Sequence, residues 1–180
     1  MDILDSIKES IESNNSIDKS IKTKLFELII IFHNKFPDIN LDRFNNLVKT
    51  VKIGRIGKYE PLGTSFYDVR ENEMLFSPNR IKNIDYDLDN LFMRIVLSMI
   101  TSTGTYSGFN SDPDLRALNS AYEEILANYL VGSSEVSDQD EEMVITNIIG
   151  NIIGTDKLFD AYFSNNGKMI TDILETIEKD

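Results

Sequence analysis

The spacing of apolar residues divides the chain into helices, interrupted once by a strand-rich segment. Ile3, Leu4, Ile7 and Ile11 fall at helical intervals, which predicts a short amphipathic helix over Asp2 to Glu12, ended by Asn14-Asn15. A second helix, capped by Ser16 and closed by Pro37, reaches Phe36 with Ile17, Ile21, Leu25, Leu28, Ile29 and Phe32 on its buried side. Leu41, Phe44, Leu47 and Val48 mark a third helix over Asn40 to Lys49, feeding a strand at Val48 to Ile56. Two β-rich runs, Ser65 to Val69 and Glu73 to Ser77, are separated by Arg70-Glu71-Asn72 and predict a hairpin within Thr64 to Pro78. Gly54, Gly57 and Gly63, with Lys58 and Thr64-Ser65, lack the order of a phosphate-binding loop and read as turns between strands.

The segment from Leu88 to Thr103 is apolar on nearly every side, the mark of a buried helix. Its exceptions, Asn90, Arg94, Ser98 and then Thr101 or Ser102, recur about every four residues and form one narrow polar line, which must face something polar. Asp85, Asp87 and Asp89 alternate like calcium ligands. A calcium loop counted from Asp85 would need glycine at Asn90 and glutamate at Val96, so Asp87 or Asp89 reads instead as a helix cap. After a loop over Gly104 to Asp112, Ser111-Asp-Pro-Asp114 opens a helix running to Leu130. Its core side is Leu115, Leu118, Tyr122, Ile125, Leu126 and Tyr129; Ser120 and Glu124 share a second line, and Glu123 points elsewhere. The remainder predicts three more helices. Ser134 to Ser137 cap the first, whose broad apolar side is Val144, Ile145, Ile148, Ile149, Ile152 and Ile153. The other two cover Asp156 to Phe163 and Gly167 to Lys179, with a turn at Asn165-Asn166-Gly167.

The order Arg94-Ile-Val-Leu-Ser98-Met-Ile-Thr101, then Tyr106-Ser-Gly-Phe109, then Leu118-Asn-Ser-Ala-Tyr-Glu-Glu-Ile-Leu126 resembles small intracellular zincin-like peptidases of the HExxH type. In such proteins a strand leads into a helix carrying two histidines at i and i+4 on one zinc ion, with a glutamate beside the first to activate the bound water. A Tyr-Ser-Gly-Phe kind of loop and a second helix with a further glutamate follow. The resemblance sets Arg94 and Ser98 at the histidine positions, Ile95 at the catalytic glutamate and Ser120 at the third ligand, and Glu124 alone matches a family carboxylate. It covers residues 50 to 165 as a succession of elements and matches closely only in the Tyr-Ser-Gly-Phe and Leu-Asn segments. What it implies is an α+β, predominantly helical zincin-like fold without its catalyst. Residues 1–48 would supply N-terminal helices, 49–84 a small sheet, 85–131 the former active-site helix pair and 132–180 a C-terminal helical bundle, in one domain. Asn90, Tyr106, Asn119 and Glu123 would line its cleft, and an extended peptide could add itself to the edge of the hairpin.

Composition narrows the chemistry. With no cysteine and one histidine, His33, the chain can build neither a thiolate nor a His-rich metal site, so no metal, cofactor or catalytic residue is expected. His33, near the end of the second helix, reads as structural. The net charge of −12 is uneven: residues 1 to 60 carry ten basic against nine acidic residues, and 61 to 180 carry eight against twenty-one. General nucleic-acid binding is therefore not expected. Lys49, Lys52, Arg55 and Lys58 read as a solvated strand face or a guard against edge pairing. The longest apolar run, Leu28 to Phe32, cannot span a bilayer and the N-terminus has no leader pattern, so a cytoplasmic protein without membrane contact is expected. Three functions compete at this stage: a pseudopeptidase that binds a peptide or protein, a structural or mobile-element interaction protein using another surface, and a metal-independent hydrolase with a rebuilt site. The last lacks an evident base for a serine nucleophile.

Overall fold

The computed structural model describes residues 2–55, 66–76, 88–132 and 140–178. Within them the chain is α+β and mostly helical: α1 Ile3–Ser13, α2 Lys19–Lys35, α3 Asp42–Val48, β1 Lys52–Arg55, β2 Phe66–Asp68, β3 Glu73–Phe76, α4 Leu88–Thr101, α5 Arg116–Val131, α6 Asp140–Ile153, α7 Thr155–Phe163 and α8 Lys168–Glu178. Outside the described residues lie Gly57, Lys58, Gly63, both outer ends of the hairpin, Asp85, Asp87 and the Ser134 to Ser137 cap.

The apolar helix α4 packs against α2, α3, α5, α7 and strand β2. Met93, Val96, Leu97 and Met99 are wholly buried, and at about 1.5–3 kcal/mol for each large apolar side chain removed from water, this helix anchors the core. Lys24 of α2 reaches Asp89 at 2.6 Å and ties the first turn of α4 to the N-terminal helices. Those helices are held in turn by polar side chains. Asn14 donates to the carbonyls of Val48 and Val51 at 2.9 and 2.8 Å, and Ser10 donates to Asn45 at 2.6 Å, so α1, α3 and the start of β1 form one unit.

The sheet has order β1-β3-β2, with β1 parallel to β3 and β2 antiparallel to it. The predicted hairpin is β2–β3, with Tyr67 opposite Met74. It lies beside α4, where Phe76 and Phe92 stack with ring centroids 5.1 Å apart. Among the described residues both β1 and β2 are edges. Lys52 and Arg55 are exposed on β1, as an edge guard should be, whereas Lys49 belongs to the end of α3 rather than to the strand.

Several local expectations are corrected. Asp18, not Ser16, caps α2: its carboxylate accepts from the Ile21 amide at 3.0 Å and from Ser20 at 2.6 Å, a stronger acceptor for the positive end of a helix than a hydroxyl. Gly54 lies inside β1 rather than at a turn, because a side chain there would strike Glu73 and Leu75 on β3. On α6 the apolar side is turned around. Val144, Ile145, Ile148 and Ile152 are about half exposed, while Thr146, Gly150 and Ile153 face inward. The inner face packs on α5 and α7, and at Gly150 an added Cβ would stand 3.4 Å from Leu158 of α7. Tyr129 likewise projects outward from α5, and the Lys35 ammonium lies 4.7 Å from the centre of its ring.

Candidate functional site

The polar line of α4 meets helix α5. Asn90 donates to Asn128 at 2.6 Å, Arg94 reaches Glu124 at 3.7 Å, and Ser98 donates to Glu123 at 2.8 Å. The order of partners runs backward along α5 as it runs forward along α4, so the two helices are antiparallel and joined by a polar seam inside an otherwise apolar contact. Thr101 ends the line. Its hydroxyl donates to the Leu97 carbonyl at 3.0 Å and accepts from the Gly108 amide, also at 3.0 Å.

Glu123 is the centre of the seam, a correction to the expectation that it points away. Its Oε1 accepts from Ser98 at 2.8 Å, from Tyr162 of α7 at 3.0 Å and from Asn119, one turn earlier on α5, at 3.1 Å. Burial raises its proton affinity above that of an ordinary glutamate, against the opposing effects of the nearby Arg94 guanidinium and the three donors. A carboxyl group placed in this way favours its neutral form. Asn119 does double duty: its side-chain oxygen accepts from the Phe109 amide at 2.7 Å while its nitrogen serves Glu123.

The Tyr106-Ser-Gly-Phe109 loop is thereby fastened from both sides. Asn165 donates to the carbonyls of Thr101 at 2.7 Å and Gly108 at 3.2 Å, and Phe109 is buried against Tyr122 and Tyr162 at ring separations of 5.4 and 5.3 Å. Gly108 has φ +52°, and a side chain there would collide with Asn119 and Tyr162, so the loop needs glycine at this position.

Above the seam lies an open cleft of about 630 Å³. One wall is Phe66 to Arg70 of the β2 edge and its turn, the floor includes Arg94, Ile95 and Ser98 of α4, and the far wall comes from the 105–110 loop and the first turns of α5. Of the residues expected around a former metal site, Arg94, Ile95, Ser98, Ser120, Tyr106, Asn119 and Glu123 line this cleft. Ser120 makes no side-chain hydrogen bond to a described residue. Two residues do not belong to the lining. Asn90 is spent on Asn128, deeper along the helix pair, and Glu124 is buried beside Arg94 without lining the cleft.

Arg94 and Glu124 form an ion pair across the two helices, at a nitrogen–oxygen distance of 3.7 Å that is too long for a direct hydrogen bond, and the guanidinium also acts on the adjacent Glu123. The partners that sequence spacing missed are Tyr162 and Asn165, which reach the seam and the loop from the C-terminal helices and the turn after α7. His33 is remote on α2, and its Nδ1 is buried with no hydrogen-bond partner. Among the described residues no group of three or more His, Cys, Asp or Glu side chains is placed to hold a metal ion. Nor, among them, is any helix long and apolar enough to cross a membrane.

Chemically, the arrangement offers a hydroxyl against a carboxyl group, Ser98 on Glu123, so the base that the sequence did not reveal has a candidate. Its Oε1 already accepts from Tyr162 and Asn119, two bonds that stabilise the carboxylate and weaken it as a base. No protein-family model, curated protein or solved structure matches the chain.

Proposed function

We propose that the chain is a non-catalytic zincin-like protein that uses its cleft to bind an extended peptide along strand β2. The observation that carries this reading is the wall formed by all three residues of β2, Phe66, Tyr67 and Asp68, continued by Val69 and Arg70 of its turn. Alternate side chains of a strand point to opposite faces, so a run of consecutive residues lines a cleft only when the strand presents its edge to it. Among the described residues β2 is an edge strand, with β3 on one side and the cleft on the other. A free edge offers backbone donors and acceptors to an incoming chain, and the cleft beside it supplies room for the side chains. The polar seam supports the non-catalytic half: where the family resemblance puts metal ligands, this chain has Arg94, Ser98 and Ser120, and its buried carboxyl group is committed to three donors.

The test is amide chemical-shift mapping of the full chain, by NMR, against a pool of extended peptides. Shifts concentrated on Phe66 to Arg70, Ser98 and the 105–110 loop are expected. Saturable binding mapped to a different face would overturn the proposal.

A metal-independent hydrolase is the second reading, favoured by the 2.8 Å contact between Ser98 and Glu123. A fluorophosphonate probe separates the two, because it phosphonylates only activated serines, with loss of fluoride. Under the binding reading Ser98 is not labelled, whereas labelling lost in Ser98→Ala would establish the hydrolase.

A further inference from the structure

We infer that the cleft selects an acidic peptide, one whose carboxylates meet the rim arginines Arg70 and Arg116. This inference rests on the peptide-binding reading and names the chemistry of its ligand. Three of the six arginines in a chain of net charge −12 line this single cleft. They come from three separate elements: Arg70 from the turn after β2, Arg94 from α4 and Arg116 from the first residue of α5. Arg70 and Arg116 are exposed on opposite walls, Arg94 is three-quarters buried at the floor, and among the described residues neither rim arginine forms an ion pair.

Two described acids line the same cleft, and both are engaged by groups of the protein. Asp68 is turned into the hairpin, where its Oδ1 accepts from the amides of Arg70 at 2.9 Å and Glu71 at 3.2 Å. Glu123 is buried at the floor under its three donors and beside the Arg94 guanidinium. Among the described lining residues the rim therefore carries two guanidinium groups without an ion-pair partner against the one carboxyl group of Asp68, within a protein that is negative as a whole. Guanidinium groups bind carboxylates with parallel hydrogen bonds, and a basic cleft with poorly polarisable walls concentrates the opposite charge. A chain lying along β2 would pass between the two rim arginines. A neutral peptide gains only the backbone bonds of the edge, and a basic one meets two like charges at the rim.

The experiment is fluorescence anisotropy on the full chain, with three labelled peptides of equal length and identical apolar positions, the remaining positions being Glu, Gln or Lys. The Glu peptide should bind at least about tenfold more tightly than the Gln peptide at moderate salt, with the difference shrinking as salt is added. Arg70→Gln and Arg116→Gln should each weaken the Glu peptide about three- to tenfold and leave the Gln peptide unchanged. Both residues are exposed, so a thermal melt matching that of the parent chain confirms that the variants fold.

Equal binding of the Glu and Gln peptides, or indifference to both arginine variants, overturns the acidic preference while leaving edge binding intact. Failure of all three peptides overturns both readings. Displacement of the Glu peptide by inorganic phosphate at about its own concentration would identify a small-anion site and also defeat the inference.

Discussion

Glu123 concentrates more of the site's energetics than any other residue. A buried carboxyl group costs several kcal/mol when charged and unpaired, and three donors with a nearby guanidinium offset only part of that cost, so its proton is held more tightly in the folded chain than in the unfolded one. The native state then binds more protons than the unfolded state through the range between the two affinities, and stability falls as pH rises across it. That contribution is complete below the unfolded value and lost once pH passes the folded value. Glu123→Gln should remove it: in urea denaturation at a series of pH values, parent stability relative to the variant should decline from the ordinary glutamate range upward. A parent chain that gains on the variant as pH rises would show a carboxylate stabilised by Arg94 instead. Arg94→Met should cost about 1–3 kcal/mol by leaving Glu124 and Glu123 without their cation, and Arg94→Met with Glu124→Gln should cost less than the two single losses added, as read from a double-mutant cycle. The i, i+4 spacing of Asn90, Arg94 and Ser98 was readable directly from the chain, as was the need for a polar partner. Which of two adjacent glutamates would answer was not. Positions 100° apart on a helix can both be buried when neighbours pack on two sides, as α4 and the C-terminal helices do around α5.

Among the elements, the helices and the hairpin followed the hydrophobic period closely, because α1, α2, α4 and α5 each bury a continuous apolar stripe. Helix α6 shows where that signal fails. It is apolar around most of its circumference, so period alone cannot choose the inner face; the face that packs on α5 and α7 carries Thr146, Gly150 and Ile153. This assignment makes a simple forecast. Ile148→Ser, on the outer face, should change stability by no more than about 0.5 kcal/mol, whereas Ile153→Ala should cost about 2–4 kcal/mol. Denaturation midpoints of the two variants measure it directly, and the reverse ranking would mean that α6 is rotated. The Tyr106-Ser-Gly-Phe109 loop was legible as a loop, but its clamps were not, since Asn119 and Asn165 reach it from 10 and from more than 50 residues away.

At the scale of the whole molecule, an acidic, mostly helical chain places a short mixed sheet beside one buried helix and leaves an open, arginine-lined cleft where they meet. That the polar line of α4 would face a polar partner was legible in the sequence, because that information is carried by local spacing. The closing of the seam by α7 and the gathering of three arginines at the cleft depend on contacts between distant segments, and no local pattern encodes them. The reading of this site as a binding cleft rather than a metallopeptidase centre turns on whether Arg94, Ser98 and Ser120 have taken the place of a metal. Native mass spectrometry of the full chain, folded in the presence of excess zinc and then exchanged into metal-free buffer, measures that most directly. The mass of the bare chain is the expected result; one zinc retained per chain, and lost on replacing Glu123 or Glu124, would contradict it.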